Sequence, residues 1–423
     1  MIRRLVADVT PLRISPAFRR LWLGQALSMV GSRMTTFAVA LQVYTLTHSS
    51  AAVGAVGLVS GAAGITVGLL AGGFLDVVDR RRALLATSLA QLATSAGLAA
   101  QAFAGGGSLW LVYVLVALQA AFGAVSVPAR NTFLPRLLPT ERLTAGAALF
   151  TLVGRLGGVI GPAVAGVLTA VAGLKFCYLV DALSFVGALY GVAGLPALRA
   201  PLGERSRAGL RAIAEGLRFV RRNSVLTGVL LADISATVLA VPVALFPAVA
   251  DQRFDGSPEL LGLMTTAMAV GGVLGTALSG PVGRVQRQGR AMLCAVAVWG
   301  LSIAGFGLAH GVVLTLLALL VTDAADVSSV MLRATIVQMA TPEAFRGRVS
   351  ATDYVVGAAV PQLGNFRAGV VASATSPGFS ALSGGLAATA AAGVLALCFP
   401  ALVRYRAFAP ATAQTGASAV SSR

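Results

Sequence analysis

Twelve apolar stretches separated by short polar segments divide this chain. A helix needs about 20 largely apolar residues to cross a bilayer. The pattern therefore predicts membrane spans at 20–46, 51–75, 83–104, 109–129, 144–172 and 176–197. A second set is predicted at 224–250, 259–282, 291–310, 312–333, 348–373 and 379–402. Between the sets, Leu210, Ile213, Leu217 and Val220 recur at helical spacing among arginines, which predicts an amphipathic helix within Ser206–Arg222 at the cytoplasmic interface. The tail 407–423 is rich in Ala, Ser and Thr and is expected to be disordered. The expected fold is all-α and membrane-embedded, with twelve transmembrane helices in two six-helix halves, 1–198 and 224–406, joined by a linker at 199–223.

Charge gives these spans an orientation. Arg3, Arg4, Arg13, Arg19 and Arg20 precede or open the first span, Arg80, Arg81 and Arg82 follow the second, and Arg130, Arg136 and Arg142 follow the fourth. The linker holds seven more from Arg199 to Arg222. Arg284, Arg287 and Arg290, then Arg333, Arg346 and Arg348, then Arg404, Arg406 and Arg423 complete the series. The alternate loops carry only Lys175 and Arg253. Basic residues are retained in the cytoplasm during insertion, so both termini are expected there. Composition fits a multi-pass protein of the cell membrane: 57% hydrophobic, 11% charged and mean hydropathy +0.85. The net charge of +17 sits in short loops beside lipid headgroups, without a nucleic-acid-binding motif, so a nucleic-acid partner is not expected. Cys177, Cys294 and Cys398 lie inside apolar runs and read as small buried hydrophobes, not a disulfide set.

The two sets of spans repeat. A shift of 203 positions superposes Ser126 on Ser329, Arg130 on Arg333, Thr132 on Thr335, Pro139 on Pro342, Gly161 on Gly364 and Gly166 on Gly369. Six spans separate equivalent points, so both halves start on the same side. That is a parallel repeat about the membrane normal, as in secondary transporters of the major facilitator type.

Three groups of motifs extend this likeness. Gly72 is followed four positions on by Asp76 and then by Arg80, Arg81 and Arg82. This resembles the superfamily's loop signature, and the resemblance implies a conformational latch built from Gly72, Asp76, Arg80 and Arg81. Asp79 stands where the family usually has glycine, and the matching loop Gly280–Arg284 has no aspartate. In span five, Gly158, Gly161, Pro162 and Gly166 resemble part of the family's antiporter motif; small residues at this spacing also allow close helix packing. Finally, Gln42–Ser50, Val127–Thr132, Leu138–Glu141, Pro242–Ala248 and Thr341–Ser350 together are similar to the enterobactin (siderophore) exporter branch, over roughly Phe18 to Leu402. Membership would imply ion-gradient-driven efflux from the cytoplasm.

Ionisable residues within spans are costly and so are functional candidates. Asp233, well inside span seven, and Asp323 with Asp326, three apart on one face of span ten, are candidates for proton coupling, because burial disfavours a charged carboxylate. Arg33, Arg155 and Arg367, in spans one, five and eleven, are candidates for binding an anionic, hydroxyl-rich substrate through charge-assisted hydrogen bonds. The alternative is mutual neutralisation of these acids and arginines. Asp353 is expected to pair with Arg346 or Arg348, and Asp181 to lie near the outer interface. His48 and His310 are distant from each other, and neither a metal site nor a cofactor is expected. No Gly-x-x-x-x-Gly-Lys-Ser/Thr phosphate loop is present. The chain reads as a monomeric, proton-coupled exporter of a siderophore or related metabolite. A broad drug-efflux pump is the nearest alternative, and a transport-inactive membrane sensor the alternative of another class. An enzyme is not expected.

Overall fold

The computed structural model describes residues 8–75, 78–105, 107–198 and 210–406. Asp76, the linker arginines Arg199, Arg205 and Arg207 and the tail after Arg406 lie outside these described residues. Six long helices come first: Pro16–Thr47, Ser50–Leu75, Arg80–Phe103, Leu109–Asn131, Leu143–Ala172 and Lys175–Ala193. These are spans one to six. Spans seven to twelve follow: Ser224–Ala240 continued by Phe246–Arg253, then Pro258–Ala277, Gln288–Leu308, Val312–Ala340, Arg346–Ala374 and Pro377–Cys398. Ten candidate spans among the described residues are apolar and long enough to cross a membrane. The two helices outside that set, Pro16–Thr47 and Arg346–Ala374, are 32 and 29 residues long and carry polar side chains such as Gln25, Ser32, Arg33, Gln362, Asn365 and Arg367.

Local chemistry sets the helix ends. Ser15 caps span one by accepting from the Phe18 N–H, and Pro16 occupies the first turn, where its missing N–H costs nothing. Ser108, Asn223, Ser257 and Ser376 cap later spans in the same way. Asp79 caps span three by accepting from the Arg82 N–H at 3.0 Å. At the opposite pole of the helix dipole, Arg253 donates to the carbonyls of Phe306 and Gly307, at 3.1 and 2.6 Å, where span nine ends.

Span seven is not the continuous helix expected from its apolar run. It stops at Ala240, passes Val241 and Pro242, makes a short 3-10 turn at Val243–Leu245 and resumes at Phe246. Proline cannot donate to the helix ladder, and the freed Ala244 N–H is taken up by Asn365 Oδ1 of span eleven at 3.2 Å.

Within the first six helices, span one packs on five and six, and span three on four and six. Within the last six, nine packs on ten and twelve, and eight on ten. The two groups meet where span two lies along eleven and span five along eight. Gly54 faces the Asn365 carbonyl, Gly369 faces Ser50, and a methyl group at Gly166 would sit 2.8 Å from the Pro258 carbonyl and 3.2 Å from Gly262 Cα. Tyr44 donates to Asp251 at 3.2 Å, and Ser49 and Ser373 hydroxyls meet at 3.2 Å. All these contacts lie where the odd-numbered spans finish. Toward the arginine-rich end, span two turns instead to Ala120 and Ala124 of span four.

The amphipathic helix runs over Leu210–Arg221 and is docked on the start of span eleven as well as carrying its polar face. Phe219 stacks on Phe345 with centroids 4.5 Å apart, Arg348 pairs with Glu215 at 3.1 Å, and Gly216 lets the helix approach the Arg348 carbonyl. Two of the three cysteines differ from expectation. Cys177 is buried, but Cys294 and Cys398 are exposed on the outer surface of spans nine and twelve.

Candidate functional site

Two cavities meet between spans one, five, seven, eight and ten. The first, of about 320 Å³, is lined by Arg33, Thr36 and Phe37 of span one, Arg155 and Pro162 of span five, Phe246 beyond the break in span seven, Thr265 and Met268 of span eight, and Asp323. The second, of about 250 Å³, is lined by Asp233, Thr237 and Pro242 of span seven, Met268, Trp299, and Thr322, Asp323, Asp326 and Arg333 of span ten. Met268 and Asp323 belong to both. One cavity is therefore walled by two cations and the other by three acids and a cation, with Asp323 between them.

The sequence explains this placement. Arg33, Arg155 and Asp326 all fall near the middle of their helices. Asp323 and Asp326 are three residues apart, so both look into the same space. Gly157 and Gly161 let span five close on span one, and a methyl group at Gly161 would lie 3.1 Å from the Val30 carbonyl. Gly158 and Gly166 serve the contact with span eight. The small-residue motif thus holds Arg33 and Arg155 on one wall.

Arg33 and Arg155 are exposed to the cavity, and neither forms an ion pair within 4.0 Å of a described carboxylate. Arg367 is not part of this group. Its guanidinium donates to the Leu239 carbonyl at the end of Ser224–Ala240 and lies beside Gly384, tying span eleven to seven and twelve.

Asp233 is buried at 7% exposure and does not face Arg33, Arg155 or Arg367. Its partner is Arg333, which reaches Asp233 Oδ2 at 2.8 Å and Asp353 Oδ1 at 3.1 Å. Arg333, read above as a loop arginine, is a buried residue inside a helix that continues to Ala340. Asp353, expected to pair with Arg346 or Arg348, is held by Arg333 instead; Arg346 pairs with Glu343 and Arg348 with Glu215.

Asp181 also departs from expectation. It is fully buried, away from the outer interface, and accepts from Thr35 and Ser95 at 2.7 Å, Gln119 at 3.2 Å and Ser32 at 3.3 Å. The carboxylate joins spans one, three, four and six through neutral donors. Of the latch residues, Arg81 donates to the Ala193 carbonyl at 2.6 Å and the Arg80 N–H to Leu198 at 2.9 Å. Asp76 lies outside the described residues.

The sequence reading missed Arg333, Asp353 and the donors around Asp181. One signal was present: the 203-residue repeat pairs Arg333 with Arg130, an unusual register for two loop arginines.

A bundle of apolar helices in two contacting groups, with charged cavities at mid-membrane and a broken helix beside them, defines a secondary transporter. Residues 6–414 match the family model described as transmembrane secretion effector, of the major facilitator type, and the chain belongs to that family. It is similar to the enterobactin exporter EntS of Shigella boydii serotype 18, at 31% identity over 385 residues, covering 89% of this chain and 91% of the relative. Among solved structures it resembles nucleoside transporter NupG, with a TM-score of 0.71 at 18% identity over 92% of this chain and 100% of that one. It also resembles a bacterial homologue of the iron transporter ferroportin, with a TM-score of 0.68 at 16% identity over 92% and 99%. The chain is a multi-pass membrane transporter.

Proposed function

We propose that this transporter exports an anionic, hydroxyl-rich siderophore of the catecholate class, coupled to proton movement through Asp323 and Asp326. The observation that carries the reading is the pair Arg33 and Arg155. Both are unpaired with any described carboxylate within 4.0 Å, and both line a mid-membrane cavity whose single acid also lines the acidic cavity. With Asp323 the single acid among the described residues beside two guanidinium groups, the cavity keeps an excess of positive charge within the membrane, which is costly and which an anionic substrate offsets. A ligand rich in hydroxyls satisfies the remaining member of the cavity as well, because ionised Asp323 accepts a hydroxyl hydrogen bond.

This arrangement gives exchange between substrate and proton. A proton arriving on Asp323 replaces the charge-assisted hydrogen bond to the ligand hydroxyl with a weaker neutral one and favours release. With the arginine-rich face in the cytoplasm, the contacts that join the two groups of helices lie on the outer side, which is an inward-facing arrangement ready to load from the cytoplasm. The membrane potential adds to the outward drive, since expelling one negative charge gains about 2.3 kcal/mol per 100 mV.

Transport of a catecholate anion and of a lipophilic cation such as ethidium, compared in proteoliposomes, tests the reading. A charge-assisted hydrogen bond contributes about 1.5–3 kcal/mol, so Arg33→Gln and Arg155→Gln are each expected to lower anion transport by roughly 10- to 100-fold. Transport of the cation alone by the unaltered protein would contradict the proposal and identify a broad drug-efflux pump.

A further inference from the structure

The repeat that aligns Arg130 with Arg333 exposes a difference between them. Arg333 is neutralised by Asp233 and Asp353. Arg130, in the last turn of span four, has no carboxylate within ion-pair distance among the described residues. Its Nη1 donates to the neutral Gln25 Oε1 of span one, where Arg333 meets a carboxylate oxygen of Asp233 in span seven, and its Nε has no acceptor among the described residues. Phe150 covers part of the guanidinium, with 5.5 Å from Cζ to the ring centroid. The half-buried cation borders a separate cavity of about 180 Å³ that also presents Gln25, Ser28, Ser32, Ser88 and Ser126. Hydroxyl and amide groups surround the guanidinium, and no acid is among the described residues that line the space.

We infer that this cavity is a second binding site, for the carboxylate or similar oxyanion of a small organic molecule, with Arg130 supplying the charge and the serine hydroxyls the remaining hydrogen bonds. The chemistry follows from the inventory. Of five guanidinium donors only the Nη1 contact has an acceptor among the described residues. Ser32 and Ser126 already donate to Asp181 and to Thr87 and Gln91, while the Ser28 and Ser88 hydroxyls can rotate to donate toward an anion. Ser126 is already held by Thr87 and Gln91, at 2.8 and 3.1 Å, so this wall is ordered without a ligand. Ser32 is followed in span one by Arg33, which places the site one helix wall from the larger cavity. The inference rests on the exporter reading only for what the bound anion does during transport; binding itself is measured separately.

Benzoate is small enough to probe the site, and benzamide is its neutral counterpart. Thermal unfolding of the purified full chain in detergent is expected to shift upward with benzoate and not with benzamide. Arg130→Gln should reduce the benzoate shift at least tenfold in apparent affinity, and Arg284→Gln, at an exposed arginine that lines neither cavity, should keep it. Gln25→Glu gives Arg130 the internal partner that Arg333 already has, so this variant should fold at least as stably as the unaltered protein yet lose benzoate binding. Should Arg130→Gln fail to fold, Gln25→Glu decides the question alone. No benzoate-specific shift, a shift that survives in Gln25→Glu, or a shift lost in Arg284→Gln would each overturn the assignment.

Discussion

Replacing Arg333 by glutamine is the perturbation with the largest calculable consequence. At an effective dielectric constant of about 20, opposite charges 4 Å apart attract by about 4 kcal/mol. Arg333 makes two closer pairs, at 2.8 and 3.1 Å, and its side chain is only 10% exposed. Much of that attraction offsets desolvation in the native protein. Removal of the cation alone leaves Asp233 and Asp353 facing one another, and breaking a buried pair on one side costs about 3–5 kcal/mol. Arg333→Gln is therefore expected to lower the unfolding free energy by about that amount in an SDS titration followed by circular dichroism. Asp233→Asn should relieve part of the loss, so that Arg333→Gln/Asp233→Asn is less damaging than the sum of the single changes by about 1–3 kcal/mol. A loss below about 1 kcal/mol for Arg333→Gln, or additivity within about 0.5 kcal/mol, would refute the triad as a coupled unit.

Three further outcomes are expected. Asp181→Leu orphans four donors, each costing about 1–3 kcal/mol when left buried and unsatisfied, so it should destabilise far more than Asp181→Asn; thermal unfolding in detergent compares them. Gly166→Leu places a side chain against the Pro258 carbonyl and Gly262, and should abolish flux while preserving helical content, with unchanged flux counting against closure at the contact of spans five and eight. The Glu215–Arg348 pair is 33% and 44% exposed, so a double-mutant cycle should give a coupling below about 1 kcal/mol; a much larger value would mean that the linker helix is held by charge more than by Phe219 and its apolar face.

The spans were legible because hydrocarbon forces about 20 apolar residues into every crossing, whatever the packing inside. That same rule hid the site. Arg333 was read as a loop residue because its span was ended at 333, where the charge falls; the helix continues to Ala340 because Asp233 and Asp353, one from each of two other helices, neutralise it. A partner 100 positions away leaves no mark in local hydropathy. Asp181 was placed near the interface because its position early in span six suggested it, whereas Thr35, Ser95 and Gln119 on three other helices make its burial tolerable. Arg33, Arg155 and Asp323 were found because no short loop could claim them. Their separation from Arg367 depends on the break at Pro242, which directs the end of Ser224–Ala240 toward Arg367 and Phe246 into the cavity.

The most direct test of proton-coupled export is uphill transport by the purified protein. In inside-out vesicles or proteoliposomes of that orientation, an acid lumen should drive accumulation of a catecholate anion above its external concentration. Collapse of the pH gradient should release it, and Asp323→Asn, which mimics the release-favouring protonated form, should remove the dependence on lumen pH and weaken binding. Accumulation that ignores the pH gradient, or an Asp323→Asn variant as responsive to it as the unaltered protein, would contradict the account.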